Sequence, residues 1–113
     1  MTYVYLFHVE GTDVYKIGNS KHPDKRLKQL QTGNPFEITF IDSFESNYAT
    51  KLESFLHRKF KYKKYSEEDG ELKGEFFCLE EEDISNFIKC CQKFEDNMIL
   101  LEKHNTYIQD KKR

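Results

Sequence analysis

Two runs of alternating side chains, "TYVYLFHV" at 2–9 and "VYKIG" at 14–18, are separated only by "EGTD". A four-residue link with glycine and aspartate is too short for a crossover, so the two runs must pair antiparallel as a hairpin. In the first run Tyr3, Tyr5, Phe7 and Val9 share one face, and Val4, Leu6 and His8 share the other. Apolar groups on both faces predict a strand covered on both sides. Any fold for this chain must therefore place layers above and below its first hairpin.

The rest of the sequence supplies those layers. Gly18 is expected to break the second strand, and Pro23 suits the first turn of a helix near 23–31 whose apolar contacts are Leu27 and Leu30. "TGNP" ends that helix at Gly33 and Pro35. "FEITFIDSF" reads as a third strand over 37–44, and "NYATKLESFLHRKF" as a helix near 47–60 with Ala49, Leu52, Phe55, Leu56 and Phe60 in one stripe. Residues 61–73 are polar and read as a mobile loop, "GEFFCL" as a further extended segment, and a third helix follows from Asp83. The expected fold is α/β (α+β): a small three-stranded antiparallel sheet flanked by helices, β-β-α-β-α, with an extra extended segment and a C-terminal helix. Residues 1–79 form the expected domain, and 80–113 a C-terminal helix packed on it, with "QDKKR" as a frayed tail.

Length and composition narrow the function classes. The 113 residues suffice for one domain and one modest core. No apolar run approaches the roughly 20 residues of a membrane span. The opening "MTYVYLFHVE" has no basic start and no leader pattern. Cys78, Cys90 and Cys91 are odd in number and fit no zinc spacing, which suggests a reducing, intracellular setting, cytoplasm or nucleus. The net charge of −2 hides an asymmetry: residues 1–64 hold 11 Lys/Arg against 7 Asp/Glu, residues 65–113 hold 7 against 13. A basic first half is compatible with a polyanionic partner, and equally with two solvated faces that differ. Lysine outnumbers arginine 15 to 3, a bias compatible with an AT-rich, viral coding genome.

Several positions invite a chemical reading. On the second helix Glu53 and His57 are four residues apart and share the flank of the apolar stripe. Glu53 is either a snorkelling surface carboxylate or a ligand for a hard cation completed by waters and phosphate oxygens. Arg26 is either a solvated helix charge or a guanidinium that grips a phosphate through paired hydrogen bonds. His57 could orient a phosphate or share proton transfer, against a capping or surface role. Lys21, Lys25 and Lys28 suit nucleic-acid backbone contacts. The cluster "EEED" at Glu80–Asp83 is read as acids at a helix start, favoured by its dipole, rather than as a metal site.

"YVY" at Tyr3–Tyr5, "YKIG" at Tyr15–Gly18, Arg26 eight residues after Gly18, and Glu53 within "LESFLH" together resemble the GIY-YIG nuclease superfamily. The resemblance is greatest to a branch first described from a bacteriophage reading frame, and it covers residues 2–79. It implies a metal-dependent endonuclease acting by a one-metal mechanism on phosphodiester bonds, with Mg²⁺ or Mn²⁺ as cofactor and nucleic acid, DNA foremost, as partner. Tyr5 then matches the last tyrosine of the first motif, Gly18 the glycine of the second, Arg26 the helix arginine and Glu53 the metal-binding glutamate. Lys16 departs from the general motif, which has tyrosine there, although lysine at this place is similar to some active members. A late asparagine found in some members has no secure equivalent, and Glu75 in "GEFF" is read as a structural feature of the branch. Lys16 beside Tyr5 is expected to favour the phenolate by opposite-charge attraction. The competing readings are a non-cleaving nucleic-acid-binding module on the same fold, and a protein-interaction domain using the C-terminal helix. Met98 and Leu101 on that helix offer a homodimer contact.

Overall fold

The computed structural model describes residues 1–65 and 75–111, with side chains through residue 105. Its first hairpin is β1 (Thr2–Val9) and β2 (Val14–Ser20), paired antiparallel from Tyr3 opposite Ser20 to His8 opposite Tyr15. Thr12 holds the turn: its N–H and hydroxyl donate to the Val9 carbonyl at 3.2 and 2.7 Å, and its Oγ1 accepts from the Val14 N–H at 2.9 Å. These local bonds resist a register slip, which would turn every side chain to the wrong face. β2 also corrects an expectation. It runs through Gly18 to Ser20 instead of breaking there.

The sheet has four antiparallel strands in the order β3-β1-β2-β4, with β3 at Ile38–Ser46 and β4 at Phe76–Cys78. The expected three strands are all present. The fourth arises because the "GEFFCL" segment pairs with β2, Lys16 opposite Phe76 and Val14 opposite Cys78. Its two phenylalanines are almost wholly buried in separate clusters. Phe77 packs with Ile17 and Leu56, and Phe76 with Val9 and Val14. Two large rings removed from water on a three-residue strand stabilise the pairing by a few kcal/mol, about 1.5–3 for each ring.

Helices cover both faces. α1 (Pro23–Gln31) lays Leu27 and Leu30 against Tyr5, Phe7 and Ile38. α2 (Ala49–Lys59) lays Leu52 and Leu56 against Val4, Leu6 and Ile17 on the opposite face, in a cluster completed by Phe87 and Cys91. Residues 61–63 form a short 3₁₀ turn and Lys64 bridges to Phe77, so the start of the expected mobile loop is ordered. The remainder of that loop, 66–73, lies outside the described residues.

The expected third helix is two. α3 (Glu81–Ser85) ends at Asn86, and α4 runs Phe87–Lys111. Asn86 serves both: its N–H donates to the Glu82 carbonyl at 3.1 Å and its own carbonyl accepts from the Cys90 N–H at 2.9 Å. The acidic cluster starts α3. Asp83 accepts from the Glu80 N–H at 3.0 Å and from the Lys63 ammonium at 2.7 Å. α4 is helical through Lys111, Met98 is half-buried, and Ile99, Leu100 and Leu101 are exposed. Among the described residues no helix is long and apolar enough to cross a membrane.

Glu95 fastens α4 to the sheet. Only 8% exposed, it accepts from the Ser46 hydroxyl at 2.5 Å and the Asn47 N–H at 3.1 Å, at the entry to α2 where a carboxylate also meets the positive end of the helix dipole. Glu95→Ala should lower stability by about 1–3 kcal/mol, because it leaves both donors short of a partner in a buried place. Glu95→Gln keeps one acceptor and should cost less. Urea midpoints of the three proteins test this ranking.

Candidate active site

Gly18 lies opposite Tyr5 in the hairpin, and the Tyr5 ring crosses directly over it. A side chain at 18 would collide with the Tyr5 hydroxyl and sit 2.5 Å from ring carbon Cζ. The glycine is therefore needed for close approach, since no turn occurs there. Phe7 stacks on the Tyr5 ring at 4.0 Å between centroids, 16° from parallel. Wedged this way, the phenol reaches across β2 toward that strand's outer edge.

The charges around Tyr5 differ from the sequence expectation. Burial raises the Tyr5 pKa above 10.0, and the opposing influence is the Arg26 guanidinium, which favours the charged form of the phenol. Glu53 adds to the rise. The expected partner, Lys16, stands opposite Phe7 instead of Tyr5. It is 8% exposed, with its ammonium 4.9 Å from the centre of the Phe76 ring, a cation–π contact. Burial, and secondarily Arg26, lower the Lys16 pKa, while Glu53 and Glu75 oppose them. Tyr5, Lys16, Arg26 and Glu53 are thus within electrostatic reach of one another, but the cation acting on the phenol is Arg26. The expectation that Lys16 draws the Tyr5 pKa down is corrected.

Glu53 and His57 arrive from the far face. The paired part of β4 stops opposite Lys16, so beyond it the β2 edge is taken up by α2 side chains. His57 Nε2 lies 2.8 Å from the Ile17 carbonyl, and a carbonyl only accepts, so this nitrogen carries the hydrogen. Its Nδ1 lies 3.6 Å from the Glu75 carboxylate, and Glu53 is 3.7 Å from Nε2. Glu53 also accepts a hydrogen bond from the Asn19 amide. Asn19 follows Gly18 and so points to the α2 face, as strand alternation requires. Sequence reasoning missed Asn19; the alternation that placed Ile17 in the core could have found it. Glu75, read from sequence as structural, faces both His57 and Lys64, the latter at 3.8 Å.

The basic residues divide. Lys21 and Lys25 line a cleft at the β2–α1 junction, whereas Lys28 is exposed near the end of α1 and does not. Among the described residues no three His, Cys, Asp or Glu side chains converge as a metal cage. The donor set fits a cation of the Mg²⁺ kind, which needs only one or two carboxylates with waters and phosphate oxygens. Glu53, partly exposed at the β2 edge, is such a carboxylate.

The family model described as T5orf172 domain matches residues 2–92, which takes in the whole sheet, α1 to α3 and the first turns of α4. No curated protein and no solved structure matches the chain.

Two outcomes are expected from this geometry. Gly18→Ala should lose about 1–3 kcal/mol or more through overpacking, and much of that cost should vanish in a Tyr5→Ala background, a coupling that a double-mutant cycle in urea reads directly. Lys16→Met should raise the melting temperature at pH 7. A lowered folded pKa means that the ammonium is disfavoured in the native state, so its stability contribution is lost as pH falls through the folded value and restored toward 10.5. The advantage of the methionine variant should therefore shrink as pH rises toward 10.5, which thermal scans across that range would measure.

Proposed function

The chain belongs to the T5orf172 domain family, and we propose that it is a GIY-YIG-type, metal-dependent endonuclease. It hydrolyses phosphodiester bonds of nucleic acid, DNA foremost, by a one-metal mechanism with an activated water. The observation that supports this reading is geometric: Tyr5 crosses Gly18 of β2, and the next residues of that strand meet α2, Asn19 through Glu53 and Ile17 through His57, with Arg26 and Lys16 on neighbouring elements.

In hydrolysis a water attacks phosphorus while the bond to the 3′ oxygen breaks, so a site must accept the water's proton and neutralise charge on the phosphate and the departing oxygen. Tyr5, whose buried phenol keeps its proton, can donate it in a hydrogen bond toward the water or a phosphate oxygen. Arg26 is exposed on its other side and offers further N–H donors to phosphate oxygens as their charge builds. His57, with Nε2–H committed to the Ile17 carbonyl, has a free lone pair on Nδ1 that can take up a proton, and Glu75 lies where the resulting imidazolium is stabilised. Glu53, held by Asn19, would bind Mg²⁺ or Mn²⁺, and that ion when bound would supply the positive charge that steadies the leaving 3′ oxygen. Lys16 adds a cation beneath the site, and Lys21 and Lys25 neutralise flanking phosphates without reading sequence.

The alternative is a non-cleaving nucleic-acid-binding module on the same fold. A single assay separates the two. Wild-type protein incubated with duplex DNA and Mg²⁺ or Mn²⁺ should produce cleaved strands, and chelation by EDTA should stop it. Glu53→Ala should bring cleavage to background, and Arg26→Ala should reduce it roughly 100- to 1,000-fold. Wild-type protein that binds DNA tightly without cutting it under any of these metals would establish the non-cleaving module instead.

A further inference from the structure

A cleft of about 390 Å³ opens beside Tyr5, on the face of the sheet that carries α1. Its walls combine two kinds of side chain. Tyr3 and Phe40 supply aromatic surface, and Lys21 and Lys25 supply positive charge from the loop and first turn leading to Arg26. Ser43, the β3 residue opposite Tyr5, also lines it. Asp24 contributes one opposing carboxylate at the start of α1.

Two features mark the aromatic wall as more than displaced core. Phe40 is 39% exposed although it sits directly opposite the fully buried Phe7, with ring centroids 5.7 Å apart. It stands at a β-bulge, where β3 carries Ile41 as an extra residue between the partners of Leu6 and Phe7. A bulge re-aims side chains at the cost of one ladder position, and bulges gather at functional sites. The result is a graded series of rings from Tyr5 through Phe7 to the water-facing edge of Phe40. The cleft volume also falls within the roughly 300–1,000 Å³ of small-ligand sites.

Resting on the nuclease reading, we infer that this cleft receives one unpaired nucleotide of the substrate strand. Its base stacks on Phe40 and Tyr3, and its phosphates lie against Lys21 and Lys25. Stacking on an aromatic face serves any base, since every base has a π-face, and lysine contacts to phosphate carry no sequence information. The enzyme would then select interrupted duplex, such as a bulge or a junction with a single strand, over continuous duplex. Such sites present a base already free of its stack, which removes much of the energy needed to extrude one.

The test uses the full chain carrying Glu53→Gln and duplex DNA with one unpaired 2-aminopurine, beside the fully paired duplex of the same sequence. The expected result is binding of the interrupted duplex about tenfold or more tighter, with quenched 2-aminopurine fluorescence, and loss of both in Phe40→Ala. Phe40 is partly exposed, so its removal leaves the core intact; Tyr3→Ala is the second variant should Phe40→Ala fail to fold. Equal binding of the two duplexes, or quenching unchanged in both variants, overturns the inference. Wild-type protein with Mg²⁺ separates this from the nuclease reading. Equal cleavage of the two duplexes overturns the cleft assignment while the nuclease reading stands. Discrimination in binding with no cleavage of either duplex supports the cleft and overturns the nuclease.

Discussion

The passage of the Tyr5 ring over Gly18 sets the geometry on which the candidate site depends. A ring on a central strand normally packs upward into the layer above it. Here it extends over Gly18, stacked on Phe7, because the neighbouring strand has no side chain at the crossing point. Arg26 then meets the phenol from α1, and the β2 edge beyond it is open to α2. Any β-carbon at 18 would lift the ring, separate the phenol from that edge and disrupt the α1 layer that rests on Tyr5 and Phe7.

Burial of ionisable groups around this crossing works against stability. Lys16 is nearly inaccessible, and its charged form is disfavoured by desolvation and by Arg26; its offsetting contacts are the Phe76 ring and two acidic groups. A residue chosen for stability at that place, between Val14 and Gly18 on the same face, would be apolar. Perturbed groups of this sort gather where a protein handles charge, and ion-pair networks that serve only structure produce them too. What distinguishes the two here is arrangement. Lys16 has no ion-pair partner within contact distance among the described residues, whereas Lys63 pairs closely with Asp83 at a purely structural helix start. A structural cation is neutralised where it stands. Lys16 is offset only by the Phe76 ring and, at longer range, by Glu53 and Glu75.

The legible parts of the fold were those written in local periodicity. The hairpin, the third strand and the first two helices follow from alternation, from turn residues and from one apolar stripe, and all stand within two or three residues of their expected bounds. β4 was seen only as an extended segment, because three residues carry no alternation and their partner lies some sixty positions earlier. Gly18 read as a strand breaker because glycine usually is one, and nothing local reveals a ring crossing from the next strand. The break at Asn86 was hidden by an apolar spacing that continues across it. In the site, residue types were legible while partnerships were not. Lys16 was assigned to Tyr5, yet the register sets it opposite Phe7, and the cation acting on Tyr5 is Arg26 from α1. A difference of two positions along β2 decides whether a lysine or a glycine stands opposite the phenol, and register depends on turn geometry and packing that a motif does not record.

The same register explains how residues on two faces come to share one site. Tyr5 and Lys16 face α1, while Ile17 and Asn19 face α2, and a sheet ordinarily keeps such sets apart on its opposite faces. They meet here only where the sheet ends. β4 pairs with β2 as far as Lys16, and the next free carbonyl, that of Ile17, is taken by His57. Had β4 continued in register, its N–H would have claimed that carbonyl, and α2 would have been held behind a complete strand. Because a side chain occupies that place, α2 closes around the edge, and Glu53 comes forward beside Asn19 into the field of Tyr5 and Lys16. The shortness of β4 thus matters as much as any charged residue: a ladder bond given up at one carbonyl admits a carboxylate from the opposite layer.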